Sequence, residues 1–274
     1  MEPDLCLPLQ QHPQYSAALR QTGCAVREVR LPGAAPVQAI SRFGLTLASR
    51  GPIWRAAQGP DDANILRRSG LHVINSEGHD LSALRSAGYR QMHTPNWVAE
   101  LSLSGTAQAR LAAMKPKWRT TLRRAQEARL RIKHERFDPC RHGWLLAADL
   151  AQQRSKGFRS LPHSVLQAYA EANPKDALVF VARQKKDPVA AMLFLLHGRV
   201  ATYHLGWSGE AGRKSGAHHA LLLQGCDHLA TRGIARLDLG QVDTVNAPGL
   251  ARFKLGTGAD VRALGGSWLR VPWL

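Results

Sequence analysis

Acid is what this chain lacks most: 20 Asp and Glu stand against 37 Lys and Arg in 274 residues, a net charge of +17. An excess of that size disfavours basic partners and favours polyanions such as RNA, a nucleotide diphosphate or an anionic membrane surface. Cysteine is scarce as well. Cys6, Cys24, Cys140 and Cys226 are scattered with no C-x-x-C spacing, which argues against a disulfide framework or a zinc site. The longest apolar run, Val189–Leu196, has eight residues, far below the ~20 of a membrane-spanning helix. The start, Met1-Glu-Pro-Asp4, is acidic and carries no apolar stretch, so no export signal is expected and the chain is expected in the cytoplasm. H-E-x-x-H, G-x-S-x-G and P-loop patterns are missing, so no metal site is expected.

What is present is unevenly spread. Residues 1–109 carry a net +2, residues 110–136 a net +8, and residues 137–274 a net +7. The middle segment holds a helix predicted over 116–129, with Pro116 in the first turn, where a missing N–H costs nothing. Its Trp118, Leu122 and Ala125 fall on one face at i, i+4 and i+7. Lys117, Arg119, Arg123 and Arg124 occupy much of the remainder and are the candidate polyanion contacts. A solvated basic face is the plainer alternative.

A pattern of elements occurs twice. In the first half, strands are predicted at 25–30, 37–41 and 43–49, a helix at 61–69, a strand at 71–75, a helix at 79–87, and strands at 89–93 and 97–103. In the second half, strands are predicted at 177–183, 189–197 and 200–207, with Gly198 in the turn between the last two. A helix at 217–232 stops at Gly233, followed by a strand at 235–239, a helix at 247–255, and strands at 260–264 and 267–271. Helices at 106–114, 116–129, 139–155 and 162–172, and a strand at 131–135, lie between the copies. Two similar α/β units follow, expected as domains 1–129 and 130–274, with the last strand docking on the first.

Four motifs stand in order along this pattern: Lys117-Trp-Arg-Thr-Thr-Leu-Arg-Arg-Ala125, Arg154-Ser-Lys-Gly-Phe158, Leu237-Asp-Leu-Gly240, and Phe253-Lys254. Gly51-Pro52 ends the third strand of the first half. Together they resemble the Fem-type (FemAB-like) aminoacyltransferases of the GNAT acyltransferase superfamily. The resemblance implies tandem GNAT-like domains with mixed, mostly antiparallel sheets flanked by helices. It also implies transfer of an aminoacyl group from charged tRNA to an amine acceptor, with no tightly bound cofactor. The chain is shorter than the cell-wall Fem enzymes and lacks the coiled-coil arm of some of them.

The resemblance nominates residues. It makes Lys254 the cation that stabilises the oxyanion of an acyl-transfer intermediate or neutralises the leaving group. By spacing alone Lys254 reads as a surface lysine ending an amphipathic helix. Phe253 would pack the site. Arg154 would meet a substrate diphosphate, a geometry that suits a guanidinium, with Phe158 one turn on where some relatives have tyrosine. Gly212-Arg-Lys-Ser-Gly-Ala217 stands where GNAT enzymes cradle the pyrophosphate of coenzyme A on a helix N-terminus. Arg213, Lys214 and Gly216 are the candidates there, although His218 replaces the usual small residue. Asp238 is either a general base or a strand-end carboxylate satisfying backbone. Two further functions stay open: a coenzyme-A-dependent N-acetyl or acyltransferase on a small amine, and a non-catalytic RNA- or membrane-surface-binding protein on the same fold.

Overall fold

The computed structural model describes residues 5–55, 59, 61–78 and 81–270. The chain forms two compact units, one of residues 1–98 with 262–274, the other of residues 99–261.

The first unit opens with a 3-10 turn (Leu9–Gln11) and α1 (Pro13–Gln21). There follow β1 (Ala25–Val29), β2 (Val37–Arg42), β3 (Leu45–Ser49), α2 (Asp62–Arg68), β4 (Val73–Ser76), α3 (Leu81–Ser86) and β5 (Arg90–His93). Neither the opening turn nor α1 is signalled by an apolar period. Pro13 starts α1 and His12 caps it, its Nδ1 accepting from Gln14 N at 3.4 Å. Residues 79–80 of the helix expected at 79–87 lie outside the described residues.

The second unit runs through β6 (Trp97–Ser102), α4 (Ala107–Ala113), α5 (Pro116–Glu127), β7 (Arg131–Arg136), α6 (Pro139–Lys156), α7 (His163–Ala172), β8 (Ala177–Gln184), β9 (Asp187–His197) and β10 (Val200–Ser208). It continues with α8 (Glu210–Ser215), α9 (Ala217–Thr231), β11 (Arg236–Val242), α10 (Pro248–Leu255) and β12 (Asp260–Ala263); β13 (Gly266–Leu269) ends the order. The short α8 is not foreseen by sequence. Residue 271 of the last expected strand lies outside the described residues.

Strand order in the first sheet is β1-β2-β3-β4-β13-β5, and in the second β12-β6-β11-β10-β9-β8-β7. Each sheet takes one strand from the other half of the sequence. β13 lies between β4 and β5, and β6 lies between β11 and β12. In both sheets the strand that closes the antiparallel meander pairs parallel with the strand after its crossover helix, β3 with β4 and β10 with β11. The tandem, mixed α/β architecture is thus realised by exchange of equivalent strands.

The division expected after residue 129 falls inside the second unit. The physical reason is α5: Trp118, Leu122 and Ala125 are buried in one core with Ala217, Leu221, Leu222 and Leu229 of α9. That core also takes Leu178, Phe180, Met192 and Phe194 from β8 and β9. The alternate residues Val179, Val181, Leu193 and Leu195 are equally buried, so both faces of these strands are covered, which is why they read as continuous apolar runs. On the second face, Gln152 of α6 donates to Gly206 O at 3.2 Å and Tyr169 of α7 donates to Leu196 O.

The first unit has its own core around Ile74, Leu84, Tyr89 and Trp268. Trp268 of β13 is 1% exposed, and its Nε1 donates to Gly265 O at 2.8 Å. Trp268→Ala should therefore lower unfolding free energy by about 3–5 kcal/mol. Trp268→Phe should lose less, because the ring is kept. Equilibrium denaturation reads both, and an alanine variant as stable as wild type would place Trp268 outside the core.

Candidate active site

β10 and β11 pair for three residues only, Val200–Thr202 against Arg236–Asp238. A bulge between Tyr203 and Leu205 then turns β10. It continues beside β9 to Ser208, while β11 continues to Val242. Two neighbouring parallel strands thus part in the middle of a sheet, beyond their carboxyl-side pairing. In α/β folds ligands enter where neighbouring strands lose their common cover at these ends.

Lys254 of α10 reaches this opening. It is 5% exposed, and its Nζ donates to Gln241 O at 2.7 Å. A Cβ built on Gly240 would stand 3.7 Å from the same Nζ, with Gly240 in the left-handed region at φ +75°. Burial pushes the Lys254 ammonium down to about 8, and the nearby Asp238 carboxylate opposes that shift. Leu237 and Leu239 enter the α9-side core, so Asp238 between them points to the opposite face. Its Oδ1 accepts from Gly240 N at 2.7 Å. Asp238 therefore does the work of a strand-end carboxylate as well as steadying the cation. Phe253 packs with Trp118 (ring centroids 5.9 Å) and His219 (5.2 Å), and its carbonyl accepts from Trp118 Nε1 at 3.1 Å.

The start of α9 is occupied by helix packing. Gly216 has φ +74°, and a Cβ there would lie 2.8 Å from Thr121 Cγ2 and 3.0 Å from Thr121 O of α5. The glycine thus permits close approach of α5. Arg213 donates to Ser208 O at 2.6 Å, and Lys214 pairs with Glu210 at 2.7 Å on the surface. Burial pushes both His218 and His219 down to about 4, so they stand neutral at pH 7. His218 Nε2 and His219 Nδ1 are buried without a hydrogen-bond partner.

Lys117, Arg123 and Arg124 are exposed on the outer side of α5, while Arg119 is half-buried and donates to Ala112 O at 3.2 Å. Arg154 is exposed near the end of α6. Phe158 is 43% exposed just beyond Gly157, which caps α6 at φ +67°.

One group of polar side chains escaped the sequence reading. Asp149 of α6 is 5% exposed, and its Oδ2 accepts from Gln153 Nε2 at 2.6 Å and from Ser160 Oγ at 3.4 Å, and meets His163 Nε2 at 2.9 Å. His204, at the β10 bulge, is pushed down to about 4 by burial; the Asp149 carboxylate opposes that shift and His163 adds to it. A signal was available. His142, Leu145, Leu146 and Asp149 form the buried stripe of α6, so a carboxylate sits at i+7 where a core residue is expected.

The family model described as an acetyltransferase (GNAT) domain matches residues 112–259. None of the curated proteins matches the sequence. Among solved structures, FemX superposes with a TM-score of 0.69 at 14% identity, over 95% of this chain and 93% of that one. The C-terminal domain of a putative lysylphosphatidylglycerol synthetase from Agrobacterium fabrum gives 0.60 at 16%, over 96% and 89%. L-PGS from Bacillus licheniformis gives 0.57 at 15%, over 96% and 93%. At these identities the likeness is one of fold. Among the described residues no helix is long and apolar enough to cross a membrane.

A lysine whose folded-state pKa lies near 8, below its ordinary 10.5, is charged at a cost to the folded protein. The cost is complete below pH 8 and vanishes as pH rises through 10.5, where the unfolded chain also loses its proton. Lys254→Met should thus be more stable than wild type at pH 7, by about 1–3 kcal/mol. The gap should close between pH 8 and 10.5. A gap that ignores pH in denaturation curves would mean Lys254 is not held against its solvation.

Proposed function

We propose that this chain, which belongs to the GNAT acetyltransferase family, forms amide bonds by moving an aminoacyl group from a charged tRNA to an amine acceptor. It is an acyltransferase with an acyl donor as substrate. The observation that carries the reading is Lys254, a buried cation at the point where β10 and β11 part. An acyl carbonyl entering there gains negative charge on oxygen as the amine adds. A fixed ammonium stabilises that charge most in the transition state.

The choice of donor follows from α9. Thr121 of α5 packs against Gly216 at the start of α9, and His218 follows where a small residue is usual. That favours a donor held by something other than a coenzyme A cradle. The outer face of α5, with Lys117, Arg123 and Arg124, supplies positive charge for a phosphate backbone. The resemblance to Fem-type enzymes and the FemX-like fold point the same way. A second reading, acyl transfer from coenzyme A to a small amine, is favoured by the match to an acetyltransferase model. Arg154 and Phe158 are assigned to substrate binding at the end of α6.

Labelled aminoacyl-tRNA and labelled acetyl-CoA, each offered with a panel of amines, separate the two readings. Amide product from tRNA alone is expected, and product from acetyl-CoA alone would replace the first reading by the second. Lys254→Ala should cut turnover by about 100-fold, the usual loss of one oxyanion donor, with donor affinity unchanged. Near-normal turnover would remove Lys254 from the chemistry.

Arg119, Arg123 and Arg124 replaced together by alanine should weaken tRNA binding and flatten its dependence on salt. Unchanged affinity and slope would assign these arginines to solvent.

A further inference from the structure

On the face of the second sheet covered by α6 and α7, Asp149 and His163 make a carboxylate–imidazole pair. Asp149 Oδ2 and His163 Nε2 stand 2.9 Å apart, and Gln153 and Ser160 also bond that carboxylate oxygen. Gln153 in turn bonds Ser160, its Nε2 donating to Ser160 Oγ at 2.7 Å and its Oε1 accepting from Ser160 N at 3.2 Å. The carboxylate is therefore oriented by three partners and holds the Nε2–H tautomer of the imidazole. Among the described hydrogen bonds His163 makes no other, so Nδ1 keeps its lone pair for a visitor.

Gln152, one helical turn on from Asp149, donates to Gly206 O at 3.2 Å, which brings the pair beside His204 of β10. His204 makes none of the described hydrogen bonds and sits at the bulge. It lies two residues past Thr202, just as Gly240 lies two residues past Asp238, and Thr202 and Asp238 are the last paired positions. At about 3.3 Å of rise per residue, both sites flank the same opening, His204 on the β10 side and Lys254 on the β11 side. Asp238 points to the face that His204 shares.

We propose that His163 and His204 form the acceptor site of this enzyme, binding a primary amine in the opening between β10 and β11, with His163 as its general base and Asp149 as the residue that orients His163. The inference rests on the amide-forming reading above. The amine lone pair forms the C–N bond to the acyl carbon, and the C–O bond to the tRNA ribose breaks with its electron pair on oxygen. The surplus nitrogen proton passes to His163 Nδ1 and from there to the leaving alkoxide. His204 accepts a hydrogen bond from the amine and sets its approach. The buried Asp149 carboxylate beside two imidazole rings suits an amine and would reject an anionic acceptor.

The test has a kinetic arm and a binding arm. His163→Gln should lower kcat by about 100-fold or more with KM for the donor unchanged. Added imidazole should partly restore His163→Gly. Wild-type kcat in His163→Gln would overturn the proposal. In the binding arm, propylamine is titrated into 15N-histidine-labelled protein. Shifts at His163 and His204 are expected, together with an Nε2–H signature at His163 that Asp149→Asn abolishes. Absence of shifts at both rings in wild type would overturn the proposal whatever the donor. Amine shifts without transfer from either donor would support this site and sink the amide-forming reading alone. His204→Gln, which leaves Asp149 and its partners in place, should weaken the amine-induced shift even if Asp149→Asn does not fold.

Discussion

Three residues of parallel pairing between β10 and β11, followed by their separation at the Tyr203–Leu205 bulge, are the constraint on which the chemistry depends. While the strands are paired, their backbone groups bond each other and the interior stays dry. Once they part, those groups face an opening that the flanking helices fill with side chains. Lys254 arrives from α10 and the histidine–carboxylate group from α6, α7 and the bulge itself. A sheet that stayed paired over the full length of both strands would have no such opening.

Charge is buried on both sides of this opening, and folding alone does not call for it. Lys254 is desolvated with one carbonyl as its described hydrogen-bond partner and a carboxylate nearby. Asp149 is buried among Gln153, Ser160 and His163. Apolar residues of similar volume would satisfy the core at lower cost. Buried groups of this kind are ordinary where a reaction develops charge, because a low-dielectric setting makes each fixed charge count for more.

Helix α5 connects the opening to the basic surface. Its inner face brings Trp118 against Phe253 and over Gly256, where a Cβ would stand 2.5 Å from Trp118 Cδ1. Thr121 of the same helix sits against Gly216. The outer face of this one helix holds Lys117, Arg123 and Arg124, exposed cations of the most basic segment. Its position therefore decides two things together, how α10 presents Lys254 and which ligand the start of α9 can receive.

Much of this was legible in the chain. Strand and helix order and the amphipathic α5 follow from periodicity, because these are local properties of consecutive residues; Lys254 was nominated by the Fem-type resemblance, and its spacing alone reads as a surface lysine. The unit boundary, the place of β6 in the second sheet and the short α8 were not legible, whereas the docking of the last strand on the first half was expected. Strand pairing across a sheet is set by packing between residues far apart in sequence, and a six-residue helix has too little period to announce itself. The acceptor group shows the same limit at the scale of side chains. Asp149 alone is an acid on an apolar stripe, and His163 and His204 alone are ordinary histidines. Only the tertiary structure brings them together, because a helix, a helix start and a bulged strand must first pack before Asp149 can bond His163 beside the β10 bulge.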